Sequence, residues 1–122
     1  MKFVVFISIL FFVSCKINRT NKGIAVGKWK YVSGTTSERL VITGKYDRKG
    51  REKGVWKYYR NDTLFRSEKY FYPYSADVLF HKNGKVSEIG KSFTSQNKWT
   101  KTGTWYYFNE HEKLTDSITF EN

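Results

Sequence analysis

Two hydrophobic patterns divide the chain. The first is a solid run, Phe3-Val4-Val5-Phe6-Ile7-Ser8-Ile9-Leu10-Phe11-Phe12-Val13, set between Lys2 and Ser14-Cys15. Crossing a hydrocarbon core takes roughly 20 apolar residues. The run is too short for that and fits the apolar region of a secretory signal. The second pattern begins at Gly27, where Gly27-Lys28-Trp29-Lys30-Tyr31-Val32 alternates aromatics with lysines. A period of two predicts a strand with one buried face. Arg39-Leu40-Val41-Ile42-Thr43 is a β-branched run that predicts a more buried strand. Further strands are expected at Gly54 to Arg60, Thr63 to Tyr72, Val78 to Lys82, Lys85 to Ile89, Gly103 to Phe108 and Lys113 to Phe120. Asn61-Asp62 is an expected turn, Pro73-Tyr74-Ser75 a break and Ser95-Gln96-Asn97 a loop. Asn83-Gly84 is a strong hairpin signal. Nothing beyond the first run holds a helical period. Regularly spaced short strands predict an all-β meander, sandwich or barrel, and sequential hairpins are the simplest connection.

These patterns set the organisation. Residues 1–14 read as a signal peptide, and 15–25, polar, basic and without periodicity, as a tether. Residues 26–122 read as a single β domain, with Gly44-Lys45 and Gly90-Lys91 at strand ends. Phe12-Val13-Ser14-Cys15 resembles the bacterial lipobox, with Phe12 where leucine is commoner. The resemblance implies that Cys15 is lipidated and becomes the mature N-terminus, anchored in the cell envelope, the outer membrane before the inner. Cys15 is the only cysteine, so no internal disulfide can form.

Charge adds a second constraint. The chain carries 22 Lys and Arg against 11 Asp and Glu, a net +11. Such a balance attracts anions, although lysines also solubilise exposed strand faces. Nucleic acid fits the charge but not an envelope location. With 19% aromatics the chain has ample material for a core, which argues against disorder.

One motif recurs. Gly54-Val55-Trp56-Lys57-Tyr58-Tyr59-Arg60-Asn61-Asp62-Thr63-Leu64 aligns with Gly103-Thr104-Trp105-Tyr106-Tyr107-Phe108-Asn109-Glu110-His111-Glu112-Lys113-Leu114, allowing one inserted turn residue. Gly27-Lys28-Trp29-Lys30-Tyr31 is a shorter echo, and Phe80 to Gly90 a degenerate unit. The pattern resembles the MORN-repeat variant family, whose units run Gly-x-Trp-x-Tyr-Tyr, a turn, then Gly-Lys-Leu. Asn61-Asp62 and His111-Glu112 stand where that family usually has a turn glycine, and residues 92–102 are stretched. The resemblance implies an antiparallel meander of stacked β-hairpins in a MORN-like repeat sheet. A lone hairpin cannot bury its own face, so neighbours must stack. Trp29, Trp56, Tyr58, Trp105 and Tyr107 are the expected repeat core. Gly27-Lys28-Trp29 also resembles the opening of lipocalin-like lipoproteins, though the chain is short for an eight-stranded ligand barrel.

Little catalytic chemistry is visible. Cys15 is committed to the anchor, and His81 and His111 sit in charged or turn-like sequence. Glu110, His111 and Glu112 form the one cluster with metal-ligand chemistry, and it lies in an expected turn. No phosphate-binding glycine loop is present, and no carboxylate pair stands out. The expectation is a non-enzymatic protein-binding or scaffolding lipoprotein without metal or cofactor. Family members resembling it are sometimes labelled antitoxin-like, which makes an inhibitory role against a protein partner one form of this reading. Trp99, outside the repeat and flanked by Lys98 and Lys101, is the candidate contact residue. An anionic envelope lipid or glycan is the other partner class, and nucleic acid is not expected. A lipocalin-like carrier is the alternative, and a closed barrel with an empty cavity would favour it. A carboxylate pair facing one cleft would favour a hydrolase.

Overall fold

The computed structural model describes residues 17–96 and 98–121. The apolar run and Cys15 lie outside the described residues. Nine strands follow one another: β1 (Arg19–Asn21), β2 (Ile24–Gly34), β3 (Arg39–Tyr46), β4 (Glu52–Arg60), β5 (Thr63–Phe71), β6 (Tyr74–Phe80), β7 (Val86–Ser95), β8 (Lys98–Phe108) and β9 (Leu114–Phe120). They form one open antiparallel sheet in chain order, each strand paired only with its neighbours in sequence. The all-β class and the sequential hairpins are as expected. Several boundaries differ. Within the expected tether, Arg19–Asn21 form β1 and Ile24 opens β2, because Lys22 and Gly23 take positive φ and close a tight turn. Tyr74 and Ser75 belong to β6, so the break falls at Tyr72-Pro73. Residues Thr94 and Ser95 pair with Trp99 and Lys98, so the stretched segment is an extended β7–β8 hairpin.

Register assigns the side chains to two faces. One face carries Trp29, Trp56, Tyr58, Trp105 and Tyr107. Trp56 is 3% exposed and Trp105 fully buried, whereas Trp29, close to the sheet edge, is only half-buried. The same device places Trp56 and Trp105. Between the pairs Thr43↔Lys57 and Lys45↔Lys53, a single residue, Gly44, faces the three residues Gly54, Val55 and Trp56. Between Ile89↔Tyr106 and Lys91↔Thr102, Gly90 faces Gly103, Thr104 and Trp105 in the same way. Gly54 and Gly103 take φ of 69° and 70°, which a side chain strongly disfavours. Each indole folds back over the facing glycine, so a methyl group added to Gly44 or Gly90 would fall inside the ring. Each indole N–H donates to the next carbonyl, Lys45 at 3.1 Å and Lys91 at 2.8 Å. Gly44 and Gly90 are therefore mid-strand seats for tryptophan, not strand ends.

The turns repeat as well. Asp47–Arg51, His81–Lys85 and Asn109–Lys113 share one hydrogen-bond pattern, in which the first N–H donates to the fifth carbonyl and the fourth N–H to the first. The fourth residue is left-handed in each: Gly50, Gly84 and Glu112. Asn61 and Asp62 adopt positive φ in a two-residue turn, where glycine is absent but Asn and Asp tolerate the conformation. Glu112 has no such tolerance, and its exposed ion pair with Lys85 at 3.5 Å contributes little. Replacing Glu112→Gly is expected to raise unfolding stability by about 0.5–1 kcal/mol. Denaturant melts of the two forms would show this, and an unchanged or lower midpoint would mean the turn carries no strain.

Candidate functional site

A cross-strand row joins the two tryptophan seats. Trp56 lies opposite Glu68, Glu68 opposite Asp77, and Asp77 opposite Gly90, on which Trp105 rests. The sheet interior thus carries two carboxylates, Glu68 at 1% exposure and Asp77 at 0%, between its two largest apolar side chains. Ser75 and Ser92, both buried, occupy the adjacent row and face each other. Such burial is tolerated only when the polar groups are paired, and here they are. Tyr58 and Tyr70 donate their hydroxyl protons to Glu68 Oε1 at 3.1 and 3.0 Å. Ser75 Oγ and Trp99 Nε1 donate to Glu68 Oε2 at 2.9 and 3.2 Å. The Arg66 guanidinium stands 3.3 Å from Glu68 Oε2 and 3.9 Å from Asp77 Oδ1.

Counting protons shows that one carboxyl of the pair is neutral. Ser75 Oγ is 2.9 Å from Glu68, the two serine oxygens are 2.6 Å apart, and Ser92 Oγ is 2.6 Å from Asp77 Oδ2. Three close contacts need three protons, and two hydroxyls supply two. The carboxyl at one end of the row provides the third, and the raised pKa of Asp77 against the lowered one of Glu68 assigns that proton to Asp77, giving an ordered chain from Asp77 through Ser92 and Ser75 to Glu68. Burial, with the adjoining Glu68, raises the Asp77 carboxyl to about 7. Burial opposes ionisation of Glu68, but the Arg66 charge and the hydrogen bonds that Glu68 accepts, those of Ser75 and Tyr70 among them, outweigh it, so its pKa is lowered. The same burial, next to Glu68, pushes Tyr58 up to about 12 and Tyr70 higher still.

Above this floor lies a cleft of about 490 Å³. Tyr58, Arg66, Glu68 and Tyr70 form its base, Arg51 and Tyr72 one wall, and Thr94 and Trp99 the other. The extended β7–β8 hairpin brings Trp99 here. Its ring packs edge-on against Trp105 at 6.3 Å and covers the Arg66 guanidinium, whose centre is 4.7 Å from the indole and 5.0 Å from Tyr58. Arg66 Nε is buried without a partner among the described residues. Trp99 remains 38% exposed.

The other sequence candidates separate. Lys101 shares the Trp99 face, lying 3.1 Å from Glu88 and 4.4 Å from the Trp105 ring. Hydrogen bonds to Tyr107 and Glu88 raise its pKa despite partial burial. Strand alternation sends Lys98, opposite Ser95, to the other face. His81 is half-buried and bonds the Phe108 carbonyl at 2.8 Å, while His111 is exposed in its turn. Among the described residues, no three of His, Cys, Asp and Glu gather closely enough to hold a metal.

Only one member of the carboxylate pair, Glu68, lines the cleft, whereas a hydrolase would need both carboxyls open to it. Glycosidase carboxyls stand about 5–9.5 Å apart across a bond or water. Asp77 instead has no exposed surface and does not line the cleft. Comparison with family models, with curated proteins and with solved structures finds no match.

Proposed function

We propose that this protein is a lipid-anchored envelope module, held to a bacterial membrane through Cys15, that binds a protein partner through the Trp99 cleft. The observation that carries the reading is the partly exposed Trp99 indole, fixed over Arg66 and Glu68 across the cleft from the exposed Tyr72. Tryptophan and arginine held in place by buried partners are the usual energetic centres of protein interfaces. Prior ordering lowers the entropic cost of association. The recurring hairpins with Gly-x-Trp seats support a MORN-variant repeat scaffold. A lipocalin-like carrier would need a closed barrel, and the described strands form an open sheet.

Crosslinking of the full chain in living cells, with Cys15→Ser as the anchoring control, tests the proposal. A single dominant protein adduct is expected. Trp99→Ala should weaken its capture by about 30-fold, equivalent to roughly 2 kcal/mol, with the thermal melt followed to confirm a folded sheet. An adduct pattern indifferent to Trp99→Ala would remove the cleft as the binding site.

A further inference from the structure

The face opposite the tryptophans is built differently. The acidic residues of the strands, Glu52, Glu68, Asp77, Glu88 and Asp116, all fall on the tryptophan side. The other side takes lysines, all exposed. Lys28, Lys45 and Lys53 stand directly opposite one another on β2, β3 and β4. Lys30 and Lys57 flank Thr43 in the next row. Lys69 and Lys91 flank Ala76 on β5 to β7. Among the described residues none of these lysines forms an ion pair. Like charges placed opposite each other destabilise a sheet, so the row is a cost to the fold that a bound polyanion would relieve.

Apolar rings accompany the charge. Phe71 and Tyr74 are about half exposed, and Tyr74 packs against Phe93 at 5.2 Å. Lys69 lies 5.5 Å from the Phe71 ring and Lys91 5.9 Å from Tyr74. The lysines therefore form a band running across the strands, with open aromatic faces at one end.

We infer that this band binds an acidic polysaccharide, a chain of sugar rings bearing carboxylates. Adjacent strands rotate by about 20–25°, so from β2 to β7 the band turns through roughly 100°. A planar bilayer cannot touch such a track along its length, whereas a linear polymer follows it. The cations are all lysines, point charges without the arginine fork suited to bidentate phosphate recognition. Phe71 and Tyr74 offer flat apolar surfaces for sugar rings. The preference for a glycan over nucleic acid also rests on the envelope location proposed above. The lysine band itself does not depend on it or on the Trp99 cleft.

The test is binding of the purified full chain in neutral detergent to polygalacturonate. Dextran, polyglutamate, single-stranded DNA and phosphatidylglycerol vesicles are compared. Saturable binding to polygalacturonate, absent for dextran and weakening with salt, is expected. Lys69→Gln with Lys91→Gln should weaken it by about fivefold per lysine and flatten the salt dependence. Phe71→Ala should weaken polygalacturonate binding while leaving polyglutamate unaffected. Both substitutions are on exposed positions, and retained Trp56 and Trp105 fluorescence confirms the fold. No binding to polygalacturonate overturns the inference. Equal or tighter binding to polyglutamate, DNA or vesicles also overturns it, and a preference for DNA would at the same time count against the envelope location.

Discussion

Trp105→Ala is expected to remove about 3–5 kcal/mol of stability, the usual range for emptying a buried large aromatic position. Domains of this size have only about 5–15 kcal/mol in total. The loss is therefore a large fraction of the whole. The reason is specific to this sheet. Trp105 has no second sheet above it among the described residues, and its indole closes the space over Gly90, anchors to the Lys91 carbonyl and supports Trp99 and Lys101. Removing it opens the Gly90 backbone, unseats the hairpin wall and takes the indole donor from the part-buried Lys91 carbonyl. Trp29→Ala, at a half-buried position, should cost about 1–2 kcal/mol. Gly90→Ala should approach the Trp105→Ala penalty, because its methyl group displaces the same ring. The double substitution should cost less than the sum, since the alanine methyl then partly fills the vacated space. Urea titrations of the four variants measure this. A Trp105→Ala loss near that of Trp29→Ala would show that the glycine seats are not what holds the sheet.

Stability should also fall as the medium passes from mildly acidic to mildly alkaline. Asp77 binds its proton more tightly folded than unfolded, since its pKa is raised to about 7. Its contribution is complete below the ordinary aspartate range and is lost as pH climbs through 7. Glu68, with a lowered pKa, behaves in the opposite sense. Its contribution is complete above the ordinary glutamate range and disappears in acid. The two windows overlap near pH 5, and from about pH 5 to about pH 8 the unfolding free energy is expected to drop by roughly 2–4 kcal/mol. Asp77→Asn places a neutral group of the same shape in the row and should flatten this slope, while Glu68 still governs the acid side. Chemical melts at intervals of pH provide the measurement. A slope that persists in Asp77→Asn would assign the effect to another group.

The class of fold was legible because alternation is a property of the strand itself. Trp56 and Trp105 as core residues, and the hairpins that bear them, follow from a period of two and a recurring Gly-x-Trp. The carboxylate row was not legible, and a single residue explains why. With the two-residue turn at Asn61-Asp62 and an unbroken ladder, Trp56 would oppose Ser67, and Glu68 would point to the other face. The register instead slips by one between Tyr58↔Arg66 and Tyr59↔Leu64, leaving Phe65 unpaired. Equivalent slips follow the turns into β7 and β9. A bulge reverses the face of every later residue in its strand, and nothing in Leu64-Phe65-Arg66 announces one. The Trp99 cleft was half legible. Its tryptophan stood out for lying outside the repeat, but Arg66, Glu68 and Tyr70 come from a strand whose facing depends on the same slip.

One feature of the topology bears on how the molecule is assembled. Every strand pairs only with the one before and the one after it, and even the widest pairing, Leu40 with Arg60, spans a single hairpin. Loop-closure entropy is therefore small at each step, and such local connectivity favours rapid folding for an all-β chain. The two glycine seats, one joining β3 to β4 and the other β7 to β8, lie in separate hairpins that can form independently. Each can act as a nucleus from which pairing spreads outward. Glu68 and Asp77, paired across β5 and β6, lie where the halves built on the two seats join, so the polar row forms only when both halves are in register.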